Sequence, residues 1–143
     1  TYLREVLSSH VDQTIAIRLT ASKPGMISFD TELRGVRNSA HSNYATDYFR
    51  MDGKGENELI LTGKSADYLG IEGKLRYEAR AQIHSDGGTV ERDGTRIKVA
   101  NSNSVTILFV AATNFINYKD VSGNEKAEVQ NYLEKGILCI KMN

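Results

Sequence analysis

From Lys74 to Phe115 the chain alternates apolar and polar residues with period two, interrupted only by turn signals. It reads KLRYEARAQIHS, a DGG turn, TVER, a DG turn, TRIKVA, an NSNS turn and VTILFVAATNF. Successive side chains of a strand point to opposite faces. Four strands in antiparallel succession are therefore expected. In the first, Leu75, Tyr77, Ala79, Ala81 and Ile83 share one face, while Arg76, Glu78, Arg80, Gln82 and His84 share the other. That pattern predicts one buried face and one wet face. Asp93-Gly94 suits a type I′ turn, with positive φ at both central residues. Val105 to Thr113 is apolar nearly throughout, which predicts a central strand covered on both faces.

The same alternation marks strands at residues 2–9, 13–20 and 26–34, with Lys23-Pro24-Gly25 as a turn before the last. Residues 59–62 (LILT) form a short buried strand. Residues 35–58 are rich in Gly, Asn, Ser and Asp, and read either as a long loop or as a pair of short irregular strands. Long loops in compact domains are often functional. Helical spacing occurs once, from Asn124 to Lys135, with Gly136 as its stop. The fold class is all-β, mainly antiparallel: a β-sandwich with one short C-terminal helix, forming a single domain over residues 1–143.

Composition narrows the field. The 143 residues carry 18 basic and 18 acidic side chains, so nothing directs the chain to nucleic acid or an acidic membrane surface. No apolar run approaches the roughly 20 residues that span a bilayer, and no signal-peptide pattern opens the chain. Cys139 is the only cysteine, which rules out an internal disulfide. Thr1 enters a strand pattern at once, and the apolar run 136–140 belongs to no obvious element. A piece of a larger protein and a trimmed complete domain are both consistent with this.

Candidate chemistry is sparse. Gly63-Lys64-Ser65 ends like a phosphate-binding loop, but Glu58 stands where its first glycine belongs and no helix pattern follows. His10, His41 and His84 lack metal-ligand spacing, so no metal or cofactor is expected, and His84 reads as a solvated residue. No nucleophile motif is present. Tyr44, Tyr48 and Phe49 suit either a sugar-stacking platform or anchors of their loop. Asn114, Tyr118 and Asp120 follow the apolar strand. They are placed either for function or for capping exposed backbone ends.

The ordered series DQTIAIRLTASKPGMISFDTEL, LILTGK, the long Leu75–Phe115 stretch and NYKD resembles the N-terminal β domain of glycoside hydrolase family 95. That family contains α-L-fucosidases. The resemblance covers roughly residues 4 to 133 and corresponds to the latter part of a β super-sandwich. It implies a catalytic α/α-barrel as partner and a fucosylated glycan as the parent's substrate. An extracellular or periplasmic parent is compatible with it. The family's acid and base lie in the barrel, so no catalytic residue is carried over. The resemblance implies a non-catalytic segment, with Asn114, Tyr118 and Asp120, then Tyr44 and Tyr48, as residues at a carbohydrate rim. A stand-alone carbohydrate-binding or interaction module is the alternative. Open sheet edges also point to self-association.

Overall fold

A computed structural model describes residues 1–35 and 49–141. Among these residues the strands are β1 (Tyr2–Ser9), β2 (Thr14–Ala21), β3 (Ile27–Glu32), β4 (Phe49–Lys54), β5 (Glu58–Lys64), β6 (Arg76–Asp86), β7 (Thr89–Asp93), β8 (Arg96–Ser102) and β9 (Ser104–Thr113), followed by the helix α1 (Glu125–Lys141). A large sheet runs β1-β2-β9-β6-β5-β4, and a small sheet runs β3-β8-β7. All pairings are antiparallel. The expected all-β sandwich with one C-terminal helix is thus the observed architecture.

The four consecutive strands of the alternating stretch do not form a simple meander. β6 pairs with β9, from Tyr77 opposite Thr113 to Asp86 opposite Ser104. Between them β7 and β8 pair with each other in the other sheet. The chain is one long hairpin whose tip, itself a hairpin, folds back over its own stem. Gly87 and Gly88 make the first crossing, with φ of 69° and 68°. A Cβ on Gly88 would fall 2.2 Å from the carbonyl oxygen of Ala100, so the backbones touch where the tip turns over. The tip closes with Asp93 opposite Arg96, leaving Gly94-Thr95 as the two-residue loop. Positive φ occurs at Gly94 and not at Thr95, the pattern of a type II′ rather than a type I′ turn.

The folded-back tip explains the apolar central strand. On one face of β9, Val105, Ile107 and Phe109 join Ile83, Leu59, Ile97 and Val99 in the core between the sheets. On the other, Leu108 and Val110 pack with Val129 and Leu133 of α1. Both coverings come from this chain. The order is small sheet, large sheet, helix.

Two expectations are corrected here. The face of β6 carrying Arg76, Glu78, Arg80, Gln82 and His84 is not wet beyond its first residue, because α1 lies across it. Glu78 is buried, and Arg80, Gln82 and His84 are half-buried. Nor does Gly136 end the helix, which runs on to Lys141. A Cβ at Gly136 would come within 3.1 Å of Thr14 Cγ2 and 3.3 Å of Leu108 Cδ1. The glycine marks the closest approach of helix to sheet, not a change of backbone conformation. The bare helix surface there brings the Tyr132 carbonyl to 3.3 Å from the Thr14 hydroxyl, whose one hydrogen also faces the Asp12 carbonyl at 3.0 Å. Ile137 and Ile140, beyond it, pack on the helix-side core.

Of residues 35–58, Phe49–Lys54 form β4, and Glu58 opens β5. The fold-level result is a sheet whose β5–β6 and β9–α1 connections emerge side by side, because Arg76 starts β6 where Thr113 ends β9.

Candidate functional site

That shared end of the large sheet holds three of the residues singled out from the sequence. Asn114 is the hinge of the arrangement and is completely buried. Its Oδ1 accepts from the Arg76 amide at 2.7 Å, and its Nδ2 donates to the carbonyls of Lys74 at 3.0 Å and Val121 at 2.6 Å. Its main chain adds two bonds: its N–H donates to the Arg76 carbonyl, and its carbonyl accepts from the Gly123 amide at 3.0 Å. A primary amide supplies one acceptor and two donor hydrogens. Here it stitches the start of β6, the end of β9 and the loop before α1 together.

Beyond Asn114 the loop is tightly turned. Asn117 and Asp120 exchange main-chain hydrogen bonds as an isolated bridge. Asp120 Oδ1 accepts from the Ser122 amide at 2.8 Å. The Ser122 hydroxyl and then the Ser122 amide hold the Asp120 carboxyl below its ordinary value. Tyr118 projects from this frame 84% exposed, with Lys119 Nζ 5.2 Å from its ring centre. Phe115 and Ile116 are exposed beside it. Asn114 is therefore a positioning residue. Tyr118 and Asp120 are the members of the trio that reach solvent or its border. Tyr44 and Tyr48 lie outside the described residues.

The neighbouring β5–β6 connection was not singled out from the sequence, yet it has the same character. Tyr68 and Ile71 exchange two main-chain hydrogen bonds of 2.9 Å around Leu69-Gly70. Both tip residues have positive φ, 48° and 79°. That is the type I′ geometry, and in leucine it is strained. Leu69 and Ile71 are exposed. Asp67 Oδ1 holds the loop from inside, accepting from the Gly73 amide at 2.9 Å and from Lys64 Nζ at 3.1 Å. Those contacts, the Gly73 amide first, lower the Asp67 carboxyl below its usual range. The signal available in the sequence was Leu69-Gly70 between two large apolar residues.

The second polar constellation is buried under α1. Arg80 Nη1 reaches Glu58 Oε1 at 3.2 Å and Gln130 Oε1 at 2.9 Å, and the same guanidinium bonds Glu78 Oε1 at 2.7 Å. Gln82 Nε2 donates to Glu58 Oε2 at 3.0 Å, and its Oε1 lies 2.8 Å from His84 Nε2. Glu58 and Glu78 are 5% and 3% exposed. Two carboxylates around one guanidinium suggest acid–base chemistry at first sight. Every side-chain polar atom buried among the described residues has a partner, however, and the helix covers the group. The arrangement clamps α1 to the sheet. At the helix start, Arg76 makes a two-pronged pair with Glu125, at 3.1 Å and 3.3 Å. Burial raises the Glu125 carboxyl, but the Arg76 bond and its own main-chain bond outweigh it, and the net shift is downward.

Among the described residues, no three His, Cys, Asp or Glu side chains gather where a metal ion could be held. The polar side chains described above serve loop geometry and helix docking. The chain matches the glycosyl hydrolase family 65 N-terminal domain over residues 1–118, and it belongs to that family. The resemblance to a glycoside hydrolase N-terminal β domain is thereby confirmed, with family 65 named where the segment series pointed to family 95. No curated protein matches the chain.

Proposed function

We propose that the chain is the non-catalytic N-terminal β segment of an α-L-fucosidase-like glycoside hydrolase, associated in the parent protein with a catalytic α/α-barrel. The match to a glycoside hydrolase N-terminal domain over residues 1–118 carries the class. The ordered segment series from Asp12 to Asp120 supports the fucosidase-like refinement and the reading as part of a super-sandwich. In this reading Asn114 holds the Phe115–Ser122 loop, and Tyr118 and Asp120 stand at the rim of the carbohydrate site, with Tyr44 and Tyr48 as further rim residues. Inverting hydrolysis needs two carboxyls flanking the scissile bond with room for water between. This chain contributes support and not that pair. The purified chain is expected to release no nitrophenol from an aryl α-L-fucoside, and measurable turnover would overturn the assignment.

The exposure of Tyr118 favours a second reading, a carbohydrate-binding module that works by itself. Calorimetric titration with a fucosylated oligosaccharide separates the two. Binding by the isolated chain that disappears in Tyr118→Ala supports the module. Absence of heat leaves the scaffold reading in place.

A further inference from the structure

Strand β1 is the one edge of either sheet that carries exposed large apolar side chains among the described residues. Tyr2, Leu3, Val6 and Leu7 are all more than half exposed, whereas the edge strands β3, β4 and β7 have none. Tyr2 and Val6 line a groove with Ile17, Leu19 and Phe29 on the face toward the small sheet. Leu3 and Leu7 lie on the helix side, opposite Thr20 and Ala16. The edge is therefore apolar on both faces.

Its backbone is open as well. The Ser22 amide donates to the Thr1 carbonyl. In an antiparallel ladder, residues that exchange hydrogen bonds with the partner alternate with residues whose N–H and C=O point away. With β1 and β2 in register from Tyr2 opposite Ala21, the odd residues of β1 bond to β2. Tyr2, Arg4, Val6 and Ser8 thus present their main-chain groups outward. No proline or bulge interrupts them, and Arg4 and Glu5 are the only charges on the strand.

We propose that β1 is a self-association edge that pairs antiparallel with β1 of a second copy about a two-fold axis, centred on Val6. A two-fold normal to the sheet keeps each side chain on its own face, so residues of equal parity must stand opposite each other. Centring on Arg4 sets Arg4 against its own copy. Centring on Glu5 sets two carboxylates opposite each other at the narrow, non-bonded position. Like charges directly opposite are destabilising. Centring on Val6 puts Val6 against Val6, Arg4 against Ser8 and Glu5 against Leu7, with no like charges directly opposite. The outward main-chain groups of Arg4, Val6 and Ser8 are then all paired, and the large sheet becomes continuous across two copies.

Sedimentation velocity of the full chain and a cysteine scan in a Cys139→Ser background test this. The expected particle has about twice the 15.9 kDa chain mass. Mild oxidation should cross-link Val6→Cys, because opposed Cα atoms about 5.5 Å apart fall within disulfide reach. Arg4→Cys and Glu5→Cys should remain uncrosslinked. Val6→Lys, at an exposed position, should give a folded monomer by circular dichroism and sedimentation. Cross-linking at position 4 or 5 instead of 6 overturns the register. A chain that stays monomeric at high concentration overturns the proposal and leaves the edge to a different partner.

Discussion

Asn114 and Arg76 hold each other at both ends: the Arg76 amide donates to Asn114 Oδ1 at 2.7 Å, and the Asn114 amide donates to the Arg76 carbonyl at 3.1 Å. The side chain thereby continues the β6–β9 ladder one step past its last backbone pair. Asn114→Ala would leave the Arg76 amide and the carbonyls of Lys74 and Val121 without their partner. Each such orphan costs about 1–3 kcal/mol, and partial rescue by water should bring the total loss to about 2–4 kcal/mol in urea unfolding. Asn114→Asp should be no better, since a carboxylate cannot donate to the two carbonyls. Amide exchange in residues 115–123 should accelerate in both variants while that of Tyr77–Asp86 stays slow. Unchanged exchange there would contradict the hinge role.

Arg80 offers a sharper test of the buried group. Arg80→Met keeps the aliphatic stem but strands Glu58 and Glu78 beneath the helix. Breaking a buried pair by removing one partner costs about 3–5 kcal/mol. The triple change Arg80→Met, Glu58→Gln, Glu78→Gln should recover much of that loss, because no buried charge then lacks its counter-charge. Equal destabilisation of the single and triple variants would show that packing, not charge, dominates.

Gly136 gives a prediction about size. Alanine would gain about 1 kcal/mol of helix propensity, against a contact of 3.1 Å with Thr14 that needs a small shift. Gly136→Ala should therefore be close to neutral. Gly136→Leu should lose about 1–3 kcal/mol through overpacking, read as a lower urea midpoint.

Acid should loosen the loop end before it unfolds the core. Asp67, Asp120 and Glu125 all have carboxyls lowered in the folded state. A lowered folded value contributes stability that is present above the unfolded value and lost as pH falls through the folded one. The window therefore opens below about pH 4, the ordinary aspartate and glutamate range. Amide resonances of residues 65–75 and 114–125 should shift or broaden there first. Asp67→Asn should remove the acid sensitivity of the first loop alone.

Much of this fold was legible because period-two alternation reports strand and face directly. Ile15, Ile17 and Leu19, or Ala79, Ala81 and Ile83, needed no tertiary information. The helix start was legible too: Asn124 Oδ1 accepts from the Ala127 amide at 3.1 Å, a local cap. What alternation does not report is what lies over the polar face. Arg80 and Glu78 look solvated in sequence because their cover, Gln130, is 50 residues away. Gly136 misled for a related reason. A glycine that marks close lateral approach to Thr14 looks the same in sequence as one required by positive φ. Asn114 stood out by its position after the strand, where function and the capping of backbone ends were both open, and its side chain bonds the backbone of Arg76, Lys74 and Val121. Its burial was not legible, since that depends on Arg76 and Lys74.

The placement of β9 has a consequence for how the chain acquires this structure. β2 meets no large-sheet neighbour except β1 until Ser104–Thr113 has been made, because β9 lies between β2 and β6. A two-stranded hairpin is marginal alone in water. The first 21 residues therefore wait on contacts with Val110 and Ser104 some 90 positions later. Such distant closures slow folding. Among the described strands, β1 and β2 wait longest for their large-sheet partner, and β9 is the stitch that ends the wait.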